Sequence, residues 1–545
     1  MIKRKSLVQG LAERVPTKQQ DLNTLNKAIK PLSVKATKSN TVSQRLEEIR
    51  ANVVKHLGQY SDKVEILRSE ESVREYFDKI IKNGVCALDT ETTGLNCLED
   101  HIVGTCLYTP GEKAVYIPHE HLSYITGQPL KNQITQEFMR EQYLRAKENN
   151  VKFIFHNAKF DVRIIHTWCG LYLTVYRDTM IAAKLLNNLE KAELKVQYND
   201  KILHTSKSYD FSTLFSSIDY RLVGLDTAVL YAATDALITY ELYEWQENEL
   251  KKNPGIFAVY TEIELPVMPA VIAMEDRGVY MDLNRANELS KKYNALLVKA
   301  KNEVYAELKQ YSSQISLYRS KVRDCKLSEP INIDSPKQLE ILLYDIIGVQ
   351  TVNKRKPRST DKEVMEAIDL PLCKKILEYR GIAKLLGTYI DNIPKQIDRN
   401  NRLHAKFNQL GADTGRFSSS DPNLQNIPSH NNEIRTMFAA TPGYVLLGGD
   451  FSKQEPAMLA YYTQDPEMKR AWDEGKDIYS VIASRSFHRK YEDCVEFNPD
   501  GSKNPEGKKY RSLAKPIVLG EPKRLVGLAV QNNAPLYRNV YRKIA

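Results

Sequence analysis

Between residues 62 and 250 short apolar runs alternate with stretches of helical spacing. Residues 85–89 (VCALD) form an apolar run that ends in an aspartate and predict a buried strand. Residues 101–118 alternate apolar and polar positions around Pro110-Gly111, the pattern of a hairpin. Residues 151–155 predict another strand, followed by HNAKFD and a helix to Trp168. Residues 178–188 and 227–250 carry helical periodicity. Strands interleaved with helices predict an α/β unit built on a mixed sheet. From residue 263 the pattern becomes mainly helical. IELPVMPAVIAMEDRGVYMD (263–282) reads as a helix, a turn at Gly278 and a short strand, and residues 283–325 read as helix. Ser335-Pro336 opens a further helix with proline at its first position, and Thr360 with Glu363 has the spacing of a capping box. Residues 377–390 and 465–487 are again helical, and a helix is expected at 41–57. Val445-Leu446-Leu447 reads as a short buried strand; Gly448, Gly449 and Asp450 follow it, and Glu455-Pro456 opens a helix.

A chain of 545 residues accommodates three or four domains with large cores. Its 42% hydrophobic and 27% charged content is that of a globular protein. No uninterrupted apolar run reaches the roughly 18 residues of a membrane span, and the basic N-terminus lacks a signal-peptide core. Neither a membrane partner nor secretion is expected. Seven scattered cysteines (Cys86, Cys97, Cys106, Cys169, Cys325, Cys373, Cys494) include no C-x-x-C pair, which points to reduced thiols in a cytoplasmic setting and away from structural zinc. The net charge of +10 is concentrated: residues 1–60 hold 12 Lys/Arg against 4 Asp/Glu. Such an arm suits nucleic acid through counterion release, or a solvated leader.

Specific chemistry begins at Asp89. Asp89 and Glu91 are two apart at a strand end, so their side chains share a face. Asp161 follows the next strand on a helix, and Tyr231 and Asp235 are four apart on another. Four carboxylates without matching arginines repel one another, and oxygen-only clusters of that kind suit Mg²⁺ or Mn²⁺. Two such ions activate a water and stabilise the leaving oxygen of a phosphodiester. Asp450, at the end of an apolar run, is either a helix cap or a carboxylate awaiting a cation.

Two groups of motifs then carry a resemblance. TGRFSSSDPNLQNIP (414–428) followed by DFSKQE (450–455) resembles the family A DNA polymerases, the bacterial DNA polymerase I group and its phage relatives. DTET, HNAKFD and YAATD, in that order, resemble the three motifs of that family's 3′→5′ proofreading exonuclease, and are also similar to ribonuclease D-type exonucleases. The resemblance implies an α/β exonuclease domain of ribonuclease H-like type over 62–250. After it would come a partial α+β polymerase domain over 251–520, with a helical thumb at about 283–400, palm at about 401–485 and the start of the fingers at about 486–520. A basic arm (1–61) would precede them and a tail (521–545) follow. In the front domain Asp89, Glu91, Asp161 and Asp235 would hold metal, Tyr231 would position the nucleophile, and Asn157 would lie beside the substrate strand. In the rear domain Asp450 would bind two magnesium ions, Glu455 would reject a ribose 2′-OH, and Arg511 and Lys515 would hold the incoming triphosphate. Arg416, Gln425 and Asn426 would touch the primer-template minor groove, where donors test pairing geometry rather than sequence. The implied partners are primer-template DNA, a single-stranded 3′ end and dNTPs.

After Gly520 the family pattern fails, and the motif supplying a second palm aspartate is not found. The expectation is an incomplete polymerase, with a separate chain as one source of the missing half, and polymerisation by this chain alone is in doubt because two-metal catalysis needs both palm carboxylates. The alternative is a free-standing 3′→5′ exonuclease with a primer-template-binding remnant. A third reading, a DNA-binding subunit without activity, predicts duplex binding only. The basic loop NKRKPRS (353–359) is expected to touch phosphate backbone.

Overall fold

The computed structural model describes residues 42–205, 215, 218–351, 353, 355–412, 415–428 and 431–516. Most of the basic arm and all of the tail at 521–545 lie outside them. The described part of the arm is helix α1 (Val42–Leu57). It belongs to the first domain's body, because Ile49, Val53 and Leu57 are buried against the sheet.

That sheet has six strands: β1 (Val64–Ile66), β2 (Val85–Thr92), β3 (Ile102–Tyr108), β4 (Ala114–Pro118), β5 (Lys152–Phe155) and β6 (Val175–Asp178), in the order β1-β4-β3-β2-β5-β6. The pairs β2–β3 and β3–β4 are antiparallel, and β1–β4, β2–β5 and β5–β6 are parallel. The expected hairpin and mixed sheet are therefore present. Side chains alternate across the pleat. On β4, Val115 and Ile117 enter one core, with Cys86, Leu88, Phe153 and Phe155. Ala114 and Tyr116 enter the other, with Val103, Cys106 and the segment from Tyr220 to Leu237. The first face is covered by α2 (Glu70–Asn83), α3 (Gln136–Glu148) and α4 (Ala158–Cys169). Beyond β6 run α5 (Thr179–Leu186), α6 (Leu194–Lys201) and, after a π-turn at Val229–Ala233, the long α7 (Thr234–Lys251).

The second block starts with α8 (Leu265–Arg277), which ends at Gly278. The continuous helical stretch Pro254–Arg277 is long and apolar enough to cross a membrane by length and composition, which the absence of an uninterrupted apolar run had argued against. On one side it joins the first domain: Tyr260, Met268 and Ile272 are buried in that domain's core, and Glu275 is buried among cations, while 22% of its apolar part as a whole is buried. Then α9 (Leu283–Leu308) packs beside α10 (Pro371–Lys384), with Ser335 capping Pro336–Glu340 between them. Two small antiparallel pairs complete the base: β7 (Val279–Tyr280) with β8 (Arg402–Leu403), and β9 (Lys406–Asn408) with β10 (Ser418–Ser420).

Three local expectations fail. Val445-Leu446-Leu447 forms no strand and is 88%, 70% and 98% exposed. An apolar run becomes a buried strand only where other strands pair with it, and none of the described strands does. The capping box at Thr360 is not made. The helix runs Lys362–Ala367 after Asp361, and Thr360 is buried with its carbonyl accepting from Arg380 Nη1 at 2.7 Å. The helix expected to run to 325 ends at Lys321.

Candidate functional site

The C-terminal end of β2 brings Asp89 and Glu91 to the middle of the sheet, where both are half-buried. Asp161 arrives on α4 and is 2% exposed; its Oδ1 accepts from Thr90 Oγ1 at 2.7 Å. Asp235 lies at the start of α7 and is 8% exposed. Burial raises the pKa of every one of the four carboxyls, and for Asp89 and Glu91 the charges of their neighbours add to it. Asp89 is pushed well above the carboxylate range by burial, then by Asp161, Asp235 and Glu91. Glu91 is pushed up to about 8 by burial, then by Asp235. Burial pushes Asp161 up to about 7, against the Thr90 hydrogen bond. Asp235 is raised by burial and held back by Lys195. A buried acidic cluster of this kind is a marker of chemistry.

Asp89 and Glu91 are thus within the field of Asp161 and Asp235. Among the described residues no three His, Cys, Asp or Glu side chains close on a common point tightly enough to enclose a cation. The donor set nevertheless fits a hard divalent ion: it is all oxygen, and Asp235 Oδ1 is buried without a hydrogen-bond partner. Tyr231 falls within the π-turn, a distortion often found at functional positions. Its pKa is raised, chiefly by burial. Asn157 precedes α4 with φ 71°, a left-handed conformation that asparagine tolerates.

Three further residues organise this site and were missed in the sequence. Lys195 on α6 places Nζ 2.9 Å from Asp235 Oδ2 and 3.9 Å from the centroid of the Tyr231 ring. Asp178, 1% exposed, accepts at one carboxylate from four backbone N–H groups: Asn157 and Ala158 at 3.3 and 2.8 Å, and Met180 and Ile181 at 2.8 and 3.2 Å. It therefore ties the start of α4 to the start of α5. Tyr260 clamps the same residue through its hydroxyl, 2.8 Å from the Asp178 N–H and 2.9 Å from its carbonyl. No spacing rule marks a solitary lysine, aspartate or tyrosine as a partner of residues so distant in the chain.

The rear group is more open. Asp450 and Glu455 are both exposed, Asp450 in the loop before α11 (Gln454–Thr463) and Glu455 in its first turn. Arg416 pairs with Glu455. Asp477, which caps α12 (Ile478–Ser486), gathers two cations: Arg511 Nε at 2.8 Å and Lys453 Nζ at 3.2 Å. Arg511 and Lys515, on a helix over 505–516, both lie over the Tyr479 ring, at 5.1 and 5.9 Å from its centroid. Gln425 donates Nε2 to the Phe417 carbonyl at 2.9 Å, and the Asn426 carbonyl accepts from Tyr389 Oη at 2.7 Å. Within the basic loop, Arg358 is engaged by Glu340 and Asp345 at 2.6 and 2.8 Å, and Lys356 by Asp361 at 2.8 Å. Those side chains serve internal pairs here.

Comparison with known proteins agrees with this division. The family described as "3'-5' exonuclease" matches residues 64–251, and "DNA polymerase family A" matches 299–503. DNA polymerase I of Borreliella burgdorferi is 29% identical over 419 residues, covering 76% of this chain and 43% of that protein. DNA polymerase I of Chloroflexus aurantiacus is 30% identical over 441 residues, covering 78% and 44%. The chain thus spans less than half the length of these curated relatives. The fold is similar to that of the POL domain of Pol1 from M. smegmatis, solved in complex with DNA primer-template and dNTP. The TM-score is 0.64 and the identity 20%, with 88% of this chain and 75% of that one covered. These relatives give no support to a separate chain that completes the rear domain. With a buried carboxylate cluster in a mixed sheet in front, and the TGRFSSSDPNLQNIP and DFSKQE segments on a helical block behind, the chain belongs to the family A DNA polymerases and carries their 3′-5′ exonuclease domain.

Proposed function

We propose that this chain removes nucleotides from the 3′ end of DNA with its front domain and engages primer-template and dNTP with its rear domain, as a DNA-directed DNA polymerase of replication with proofreading. The supporting observation is the placement of Asp161 and Asp235, 2% and 8% exposed, close enough to Asp89 and Glu91 for their charges to be felt there, with Asp235 Oδ1 buried and unpartnered. These four would hold two divalent cations, Mg²⁺ or alternatively Mn²⁺, whose charge favours attack of water on the terminal phosphodiester and departure of the 3′ oxygen. The protein's own part is positioning. Thr90 holds Asp161, Tyr231 directs its hydroxyl to orient the water, and Asn157 opens α4 beside the path of the strand.

In the rear domain Asp450 would be a cation ligand and Glu455 the group that meets a ribose 2′-OH. Arg511 and Lys515, whose positive charge is concentrated over Tyr479, suit a triphosphate. Arg416, Gln425 and Asn426 are the donors for the minor groove. The setting is an intracellular, reducing one, in keeping with seven free cysteines.

A second reading, exonuclease alone with a DNA-binding rear block, is favoured by one contrast: two of the front carboxylates, Asp161 and Asp235, are buried and the other two half-buried, while Asp450 is exposed. Following nucleotide release and dNTP incorporation on one labelled primer separates the two readings. The double variant Asp89→Ala/Glu91→Ala tests what they share. Single-stranded DNA is expected to survive it with the fold intact, and undiminished digestion would overturn the assignment.

A further inference from the structure

Four acidic side chains on three elements need something to hold them in register before any cation arrives. In the second core face the only ammonium group that touches them, among the described residues, is that of Lys195. It is well enclosed, with its side chain 18% exposed and that of Asp235 11%. A lysine in such a place is costly unless its charge is matched. Here the match is Asp235 at 2.9 Å, with the Tyr231 ring 3.9 Å away and the field reaching Asp89 and Glu91.

The backbone under Lys195 is fixed from the same side. Three residues on, Tyr198 is buried with Ile238 and Leu242 of α7, and its hydroxyl bonds Glu241. The helix bearing Lys195 is therefore docked on the helix bearing Asp235. The ammonium takes Oδ2 of Asp235 and leaves Oδ1 buried with no partner. It fixes the carboxylate through one oxygen and leaves the other available to a ligand.

We propose that Lys195 is a positioning residue of the nuclease site, a built-in cation that aims Asp235 Oδ1 and the Tyr231 hydroxyl at the reacting phosphate and stands in for part of the divalent charge when no metal is bound. This rests on the exonuclease reading above. Charge counting agrees with it. Four carboxylates against one ammonium leave three negative charges, and two divalent cations with one bound phosphodiester neutralise them.

The test uses the full chain and the variants Lys195→Met, Lys195→Gln and Lys195→Arg. Two quantities are read: release of the 3′ nucleotide from a labelled single-stranded oligonucleotide in Mn²⁺, and the melting temperature in EDTA and in Mn²⁺. For Lys195→Met, kcat is expected to fall roughly 10- to 100-fold, the range for outer partners of metal ligands, while KM stays within about threefold. Lys195→Arg is expected to recover most of that loss. The variant is expected to melt below the parent in EDTA, with the gap closing in Mn²⁺, because the bound ion takes over the neutralisation. A purely structural lysine would leave the same gap in both conditions, which would overturn the proposal. So would a kcat within threefold of the parent. Where Lys195→Met does not fold, Lys195→Gln, which keeps a donor to Asp235, answers both questions. Asp89→Ala/Glu91→Ala runs alongside. If that double variant digests DNA, the exonuclease reading fails; if it is inactive while Lys195→Met is fully active, only the role of Lys195 fails.

Discussion

Arg163 Nη1 lies 2.7 Å from Glu275 Oε2, with the two side chains 8% and 2% exposed. The pair joins α4, which carries Asp161, to α8 at the start of the second block. Glu275 also takes Lys159 Nζ at 2.6 Å and the Phe407 N–H at 2.7 Å, and Arg163 Nε reaches Asp276 at 2.6 Å. Lys159 and Arg163 stand two residues either side of Asp161, so this buried network sets the position of the nuclease helix. Removing one member leaves uncompensated buried charge, which costs about 3–5 kcal/mol. Glu275→Ala is therefore expected to lose stability of that order in denaturant unfolding, and to lose nuclease activity with it. A change below about 1 kcal/mol, typical of an exposed pair, would show that the network is solvated in solution.

The raised carboxyl pKa values give the metal-free protein a definite pH response. Burial, then Asp235, holds Glu91 at about 8, and burial holds Asp161 at about 7, both above their values in an unfolded chain. The folded state then binds more protons than the unfolded one between about pH 4 and pH 8. Stability contributed by these protons is complete below the unfolded pKa and is lost as pH rises through the folded one. In EDTA the melting temperature is expected to fall between about pH 4 and pH 8 and to level off above. Glu91→Gln should flatten that slope, and saturating Mg²⁺ should flatten it in the parent. A slope unchanged by either would refute the electrostatic account.

Asp178 offers a separate test, because it caps two helices at once. Loss of a cap costs about 1 kcal/mol each, so Asp178→Ala should destabilise by about 2 kcal/mol or more. Since α4 begins at Ala158, the change should also displace Asn157 and Asp161 and reduce nucleotide release. Asp178→Asn keeps an acceptor oxygen and is expected to retain part of both properties. Chemical denaturation of the two variants, with nuclease rates, measures the order.

What could be read in advance follows from how each feature is encoded. The DTET strand, the helix after HNAKFD and the YAATD helix announce themselves by local period and motif, and all three stand where expected. Lys195, Asp178, Glu275 and Asp477 do not: Asp178 and Asp477 can be read as local helix caps, but the partner that matters to the site lies at least 20 positions away in each case, and a single charge carries no period. The π-turn around Tyr231 is equally silent: it adds a residue to one turn without changing the apolar pattern. Residues 445–447 misled for the converse reason. Their composition is that of a strand, yet pairing is decided by segments elsewhere.

That run leads to the last expectation. Tyr444, Val445, Leu446, Leu447 and Phe451 are 76%, 88%, 70%, 98% and 78% exposed, next to Asp450. A contiguous apolar surface in water drives self-association or binding of apolar probes. The purified chain is expected to bind an apolar fluorescent dye and to associate as concentration rises. Val445→Thr with Leu447→Lys should weaken both while leaving the melting temperature and the nuclease rate within error, because neither side chain is packed against the front domain. Light scattering and dye fluorescence read the first effect, and calorimetry reads the second. A clear drop in melting temperature in this double variant would mean that the run is buried in solution, paired with a strand after all.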